Sequence, residues 1–189
     1  MRMKDTGEPS ILGYALLGLL QQQPLSGYDL RKFFSTSPMG AFSDSPGAIY
    51  PALRRLRTEK YICGEVEKGP GLRQREVFHL TPDGLAQLKA WLRKPVTREN
   101  VDTGMEELLL RFAFTDGVLG KADSKRLLQE IEREIKAYIP SLRQYLHAHS
   151  RDMSLSGRLA VENGIEMYEA QLRWIKRAIR AYGETEQAS

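Results

Sequence analysis

Apolar residues change their spacing several times along this chain, and each change marks a new element. From Ile11 to Leu20 they occur on nearly every side, the pattern of a helix buried all round, and Ser10 is placed to cap it. Pro24-Leu25-Ser26-Gly27 breaks that run. Ser26 and Asp29 then have capping-box spacing ahead of an apolar stripe of Leu30, Phe33 and Phe34. Residues 45–57 predict a third helix, with Ser45 as N-cap and Pro46 at the first helical position, where a missing N–H is harmless. The period then shortens. Tyr61 to Glu67 and Arg75 to Leu80 read as two strands of a hairpin, because the Gly69-Pro70-Gly71 between them cannot continue a strand. Thr81-Pro82 opens another helix, carrying Leu85, Leu88, Trp91 and Leu92 at helical spacing.

Pro95, Thr97, Asn100 and Gly104 interrupt the helical pattern, so a domain boundary is expected within Lys94 to Gly104. Three helices follow. The first runs from Met105 to Phe114, and Asp123 caps a long second one. There Leu128, Ile131, Ile135, Tyr138, Leu142 and Tyr145 alternate three- and four-residue steps, while Pro140 should kink the helix or remove a backbone hydrogen bond. In the last helix, around residues 158–182, Val161, Ile165, Tyr168, Leu172, Ile175, Ile179 and Tyr182 form an a/d seam. Met167, Trp174, Ala178 and Ala181 widen it on one flank. Such a face either packs the two long helices together within one subunit or joins two copies of the chain. The fold expected is mainly α with a small β-hairpin: a winged helix-turn-helix over residues 10–94 and a C-terminal helical dimerisation domain over 105–183.

The third helix carries the chemistry. Taking about 100° per residue, Ile49, Leu53 and Leu56 fall on one side and Gly47, Pro51, Arg54 and Arg55 roughly opposite, with Tyr50 and Arg57 on the flank. That outer face is small at its start and then basic. It is either a solvated arginine face or one that presses into a DNA groove, with Arg54 and Arg55 reaching base edges or phosphates. Ser45 and Gly47 would let backbone N–H groups approach a phosphate. The Tyr50 hydroxyl meets a phosphate or its ring packs at the core edge. On the hairpin, Lys68, Arg73 and Arg75 share the helix's sign and would place the wing on double-stranded DNA. A winged-helix protein–protein interaction module would carry apolar or mixed-charge residues there instead. His79 reads as a hydrogen-bonded strand residue.

The stretches Gly47-Ala48-Ile49-Tyr50-Pro51-Ala52-Leu53-Arg54-Arg55-Leu56 and Arg75-Glu76-Val77-Phe78-His79-Leu80-Thr81-Pro82-Asp83-Gly84 resemble the PadR family of bacterial transcriptional regulators. Residues 12–20 and Ser26-Gly27-Tyr28-Asp29-Leu30 are similar to that family's first two helices. Residues 107–114 and 164–175 are similar to segments of its C-terminal domain, in the subfamily where that domain is long. The resemblance implies a transcription regulator, in particular a repressor, that binds a palindromic operator as a homodimer. It also implies release by a small-molecule effector, often aromatic, bound in the dimerisation half. Trp91, Tyr168 and Trp174 are candidates to line that pocket, or are simply core.

Composition adds compartment and partner. The chain of 189 residues is 41% hydrophobic and 28% charged, and its single cysteine, Cys63, cannot form an internal disulfide. A reducing, cytoplasmic setting without a membrane partner is expected. The formal net charge of +4 is unevenly divided: residues 1–95 hold 14 Lys/Arg against 9 Asp/Glu, and residues 96–189 hold 14 against 15. The basic excess therefore lies in the winged-helix half. No enzyme is expected, and neither a cofactor nor a catalytic or metal-binding set. His147 and His149 would point roughly 200° apart on a helix and cannot share a metal, while Cys63 and His79 lack an orienting group and Cys63 reads as a small packed residue.

Overall fold

A computed structural model of the chain describes residues 8–42, 47–68 and 74–187. It divides into two compact units, Met1–Arg93 and Lys94–Ser189.

In the first unit, α1 (Ile11–Gln22) begins where Ser10 Oγ accepts the Gly13 N–H at 3.2 Å, and every residue from Gly13 to Leu20 is buried. Two residues of extended chain, β1 (Leu25–Ser26), lead directly into α2 (Gly27–Thr36). The Ser26–Asp29 capping box is present, and the Ser26 hydroxyl also donates to the Asp29 carboxylate at 2.6 Å. That bond, more than any other contact, holds Asp29 below the ordinary carboxylate range, against the opposing pull of burial. Leu30 and Phe34 enter the core, whereas Phe33 stays partly exposed. A short 3-10 turn spans Pro38–Phe42.

Helix α3 covers Ile49–Thr58 and starts later than the sequence suggested. Its N-cap is Ala48, which offers no side-chain bond, while Ser45 and Pro46 lie outside the described residues. Pro51 explains the shift. Had the helix begun at Pro46, Pro51 would fall in its interior and cost about 3 kcal/mol. Starting at Ile49 puts Pro51 in the first turn, where the N–H groups have no helical acceptor.

Strands β2 (Ile62–Lys68) and β3 (Gln74–Leu80) form the hairpin, with Cys63 opposite His79 and Lys68 opposite Gln74. β1 adds to the other side of β3, pairing Leu25 with Phe78 and Ser26 with Val77, so the sheet order is β1-β3-β2. Cys63 is exposed, not packed. His79 Nε2 stands 3.8 Å from Glu65 and makes no hydrogen bond, so the strand role expected of it lacks that bond. Helix α4 (Pro82–Leu92) is capped by Thr81, and its Trp91 stacks on Tyr14 of α1 at 4.4 Å between ring centres.

The second unit opens with a helix absent from the sequence expectation. α5 (Arg98–Thr103) lies where only interruptions were visible, because six residues are too few to display a period. Thr97 and Asn100, read as breakers, form its capping box and bury Val101. α6 (Met105–Leu119) runs five residues beyond Phe114. α7 (Lys121–His149) begins immediately after Gly120, whose φ of +97° permits an abrupt reversal. Asp123 therefore sits in the first turn of α7 and is not its cap; it pairs with Arg126. The helix continues across Pro140, at the cost of the one bond that residue cannot donate. α8 (Leu155–Gln187) completes the unit.

These helices share a core of Val96, Val101, Leu108, Leu127, Leu128, Ile131, Ile135, Ile139, Ile165 and Ile175. Arg111 is 3% exposed beside it and donates to the Lys94 carbonyl, while the Val96 N–H donates to Glu130 at 3.3 Å. Burial lowers the Arg111 pKa, and Glu107 and Glu130 oppose that shift. Both contacts lie within the second unit and fix its opening segment. Arg111→Met is expected to cost about 2 kcal/mol, since hydrogen bonds from charged groups are worth roughly 1.5–3 kcal/mol. Urea unfolding should register it as a lower midpoint with an unchanged slope.

Candidate nucleic-acid interface

The sequence of α3 sorts its side chains by depth. Ile49, Ala52, Leu53 and Leu56 are buried, which leaves Gly47, Tyr50, Pro51, Arg54 and Arg55 exposed. Arg54 and Arg55 have no ion-pair or side-chain hydrogen-bond partner among the described residues. The neighbouring arginines differ. Arg57 Nη1 lies 2.7 Å from Glu76 Oε1, and Arg75 lies 3.3 Å from Glu67 and 4.0 Å from Asp29. Exposed pairs of this kind are worth about 0–1 kcal/mol and can be exchanged for phosphate at little cost. Of the other residues expected on the interface, Ser45, Arg73 and the Lys68 side chain lie outside the described residues.

Three elements meet beside α3 in a pocket of about 320 Å³, lined by residues of α2, α3 and β3 with Ser26 at its edge. Tyr28, Tyr50, Arg54, Arg57 and Arg75 line it together with apolar Leu53 and Phe78. Ser26, Gly27 and Tyr28 were not singled out from the sequence as binding residues. For Tyr28 a signal existed: on α2 it falls about 160° from Leu30, so an aromatic ring had to point away from the core. It is 59% exposed, with the Arg31 guanidinium 5.6 Å from its ring centre.

Residues 16–90 match the transcriptional regulator PadR-like family, and residues 106–182 match the family described as virulence activator alpha C-term. The match to the PadR-like family of transcriptional regulators thus covers most of the first unit.

This PadR-like chain is 25% identical over 176 residues to the negative transcriptional regulator PadR of Bacillus subtilis (strain 168), covering 88% of this chain and 94% of that protein. The crystal structure of Bacillus subtilis PadR in complex with operator DNA aligns with 25% identity and a TM-score of 0.43, over 92% of this chain and 99% of the other. Its complex with p-coumaric acid aligns at 25% and 0.41, over 96% and 99%.

The remaining residues of interest in this PadR-like protein are engaged within their own units. Trp91 is 1% exposed in the first. In the second, the Tyr168 hydroxyl donates to the Val101 carbonyl at 3.2 Å, its ring meets Tyr138 edge-on at 5.1 Å, and burial raises its pKa. The Tyr138 hydroxyl donates to Asp102, which is the main reason its pKa is pushed up to about 12. Trp174 meets Phe112 edge-on at 5.7 Å. The α8 seam faces inward. Ile165 and Ile175 are buried, and Val161, Tyr168, Leu172, Ile179 and Tyr182 pack around the same core. On the opposite side of α8, Leu155, Leu159 and Met167 are 64%, 50% and 56% exposed. Among the described residues no group of His, Cys, Asp and Glu is placed to hold a metal, and no helix is long and apolar enough to cross a membrane.

Proposed function

We propose that this regulator binds operator DNA with α3 in the major groove and the β2–β3 wing on the backbone, as a cytoplasmic homodimer on a palindromic site. One observation carries the proposal. α3 commits Ile49, Leu53 and Leu56 to the core, while Arg54 and Arg55 stand exposed without a counter-ion among the described residues. Arginine on the open face of a helix can bond guanine bidentately or meet phosphate. Repression is carried over from the Bacillus subtilis relative, which is named a negative regulator.

Dimerisation is assigned to α8, on the side that the monomer leaves open. Leu155, Leu159 and Met167, with Ala170 between them, fall within roughly a third of the helix circumference. The seam from Val161 to Tyr182 supports this surface from behind, because it is occupied by the chain's own α6 and α7. A two-fold pair of such helices would present two α3 helices to two half-sites. An aromatic small-molecule effector belongs to the same reading on the family resemblance alone. Within the second unit, Tyr168 and Trp174 would line its pocket by exchanging the aromatic partners they now hold.

The salt dependence of duplex binding tests the wing. Alanine at Lys68, Arg73 or Arg75 is expected to weaken binding to all sequences, and each lost phosphate contact should lower the log–log salt slope by about 0.9 per protomer. A slope unchanged in a Lys68→Ala/Arg73→Ala protein, measured by fluorescence anisotropy, would remove the hairpin from the interface.

A further inference from the structure

Resting on the DNA-binding reading above, we propose that the pocket between α2, α3 and β3 seats one backbone phosphate of the DNA with its flanking deoxyribose, gripped by Tyr28, Tyr50 and Arg54, with Gly27 as a positioning residue.

The pocket lining has two chemistries. Leu53, Phe78 and the tyrosine rings offer apolar surface suited to a sugar, while the tyrosine hydroxyls and the arginines offer donors suited to phosphate oxygens. Charge then narrows the occupant. Arg57 is paired with Glu76, which also lines the pocket, and Arg75 with both Glu67 and Asp29, so Arg54 is the lining arginine without a carboxylate partner among the described residues. One guanidinium free of a carboxylate partner suits a phosphodiester, which carries one negative charge, better than a terminal phosphate carrying nearly two.

Gly27 shows that the Tyr50 ring is packed closely on one side, not merely exposed. A Cβ at residue 27 would come within 2.8 Å of Tyr50 Cε1. The Tyr50 ring therefore lies against the backbone of α2, while 45% of the residue remains open to solvent. Tyr28 stands in the same pocket at 59% exposure. Two large aromatic residues kept open beside an unpaired arginine, next to the face of α3, form a seat continuous with the proposed groove contact.

The test is anisotropy of the full-length protein on a mixed-sequence duplex over a range of salt concentrations. Tyr28→Phe and Tyr50→Phe keep their rings and should each weaken binding roughly 5- to 20-fold, the range for hydrogen bonds to a charged acceptor at a partly wet site. Because no charge is removed, the salt slope should not move, whereas Arg54→Ala should lower it by about 0.9 per protomer. Gly27→Ala should reproduce the Tyr50→Phe loss in the wild-type background and add nothing in a Tyr50→Ala background, as expected of a residue that acts through Tyr50. If both phenylalanine variants bind like wild type while Arg54→Ala and Arg55→Ala still weaken binding, the pocket is not a phosphate seat and the α3 reading survives. Equal loss of affinity and thermal stability in the phenylalanine variants would also overturn the proposal, since the hydroxyls would then be structural. A wild-type protein that shows no salt-dependent duplex binding overturns it together with the DNA-binding reading.

Discussion

Replacing Arg54 and Arg55 together by alanine is expected to abolish specific DNA binding at concentrations where wild type saturates its site, with the fold unchanged. Each good bidentate arginine–guanine contact contributes about 1–3 kcal/mol of discrimination, and a dimer presents the pair twice. Both side chains point away from Ile49, Leu53 and Leu56, and neither supports the core. Surface substitutions of this kind change stability by only about 0.5 kcal/mol. Anisotropy at fixed salt, beside a thermal melt of the same protein, reads both quantities. Retained operator affinity in the double variant would show that the basic face of α3 is merely solvated. Single variants divide the roles. The arginine that reads bases should relax specificity at one position, and one that meets phosphate should weaken all sequences alike.

The second large effect is expected at α8. If the protein dimerises as proposed, Leu159→Asp combined with Met167→Asp should convert the dimer to monomer and lower DNA affinity by roughly 100-fold or more, because two linked half-site contacts become independent. An unpaired carboxylate at an apolar contact costs several kcal/mol even after relaxation. The monomer itself should remain folded, since both residues are about half exposed in it. Ile175→Asp provides the contrast. That side chain is 1% exposed within the chain, so the variant should unfold the second unit rather than simply dissociate it. Sedimentation velocity with circular dichroism separates the two outcomes. A Leu159→Asp/Met167→Asp protein that sediments as a dimer and binds DNA like wild type would place the contact elsewhere.

Much of the first unit was legible because it is local. The capping atoms at Ser10, Ser26 and Thr81 lie three residues from the N–H groups they satisfy, so sequence spacing is enough to find them. The basic face of α3 follows from helical geometry alone, and the hairpin from a Gly-Pro segment between two short alternating runs. Pro51 even held the correct start of α3, through the turn in which a proline is tolerated.

What the sequence by itself determined was each element's own division into an apolar and a polar side. That suffices for a mainly α chain with a basic helix, a hairpin and a long apolar seam. Tertiary structure alone decided which neighbour each side meets. β1 is two residues long and exists because Leu25 and Ser26 find Phe78 and Val77 some fifty positions away. The inward turn of the Val161–Tyr182 seam depends on α6 and α7 packing against that face. The pocket of Tyr28, Tyr50, Arg54 and Phe78 gathers three separate elements. Periodicity records how a side chain leaves its own backbone, but a contact between distant segments depends on the closure of the chain between them, and no local pattern encodes that.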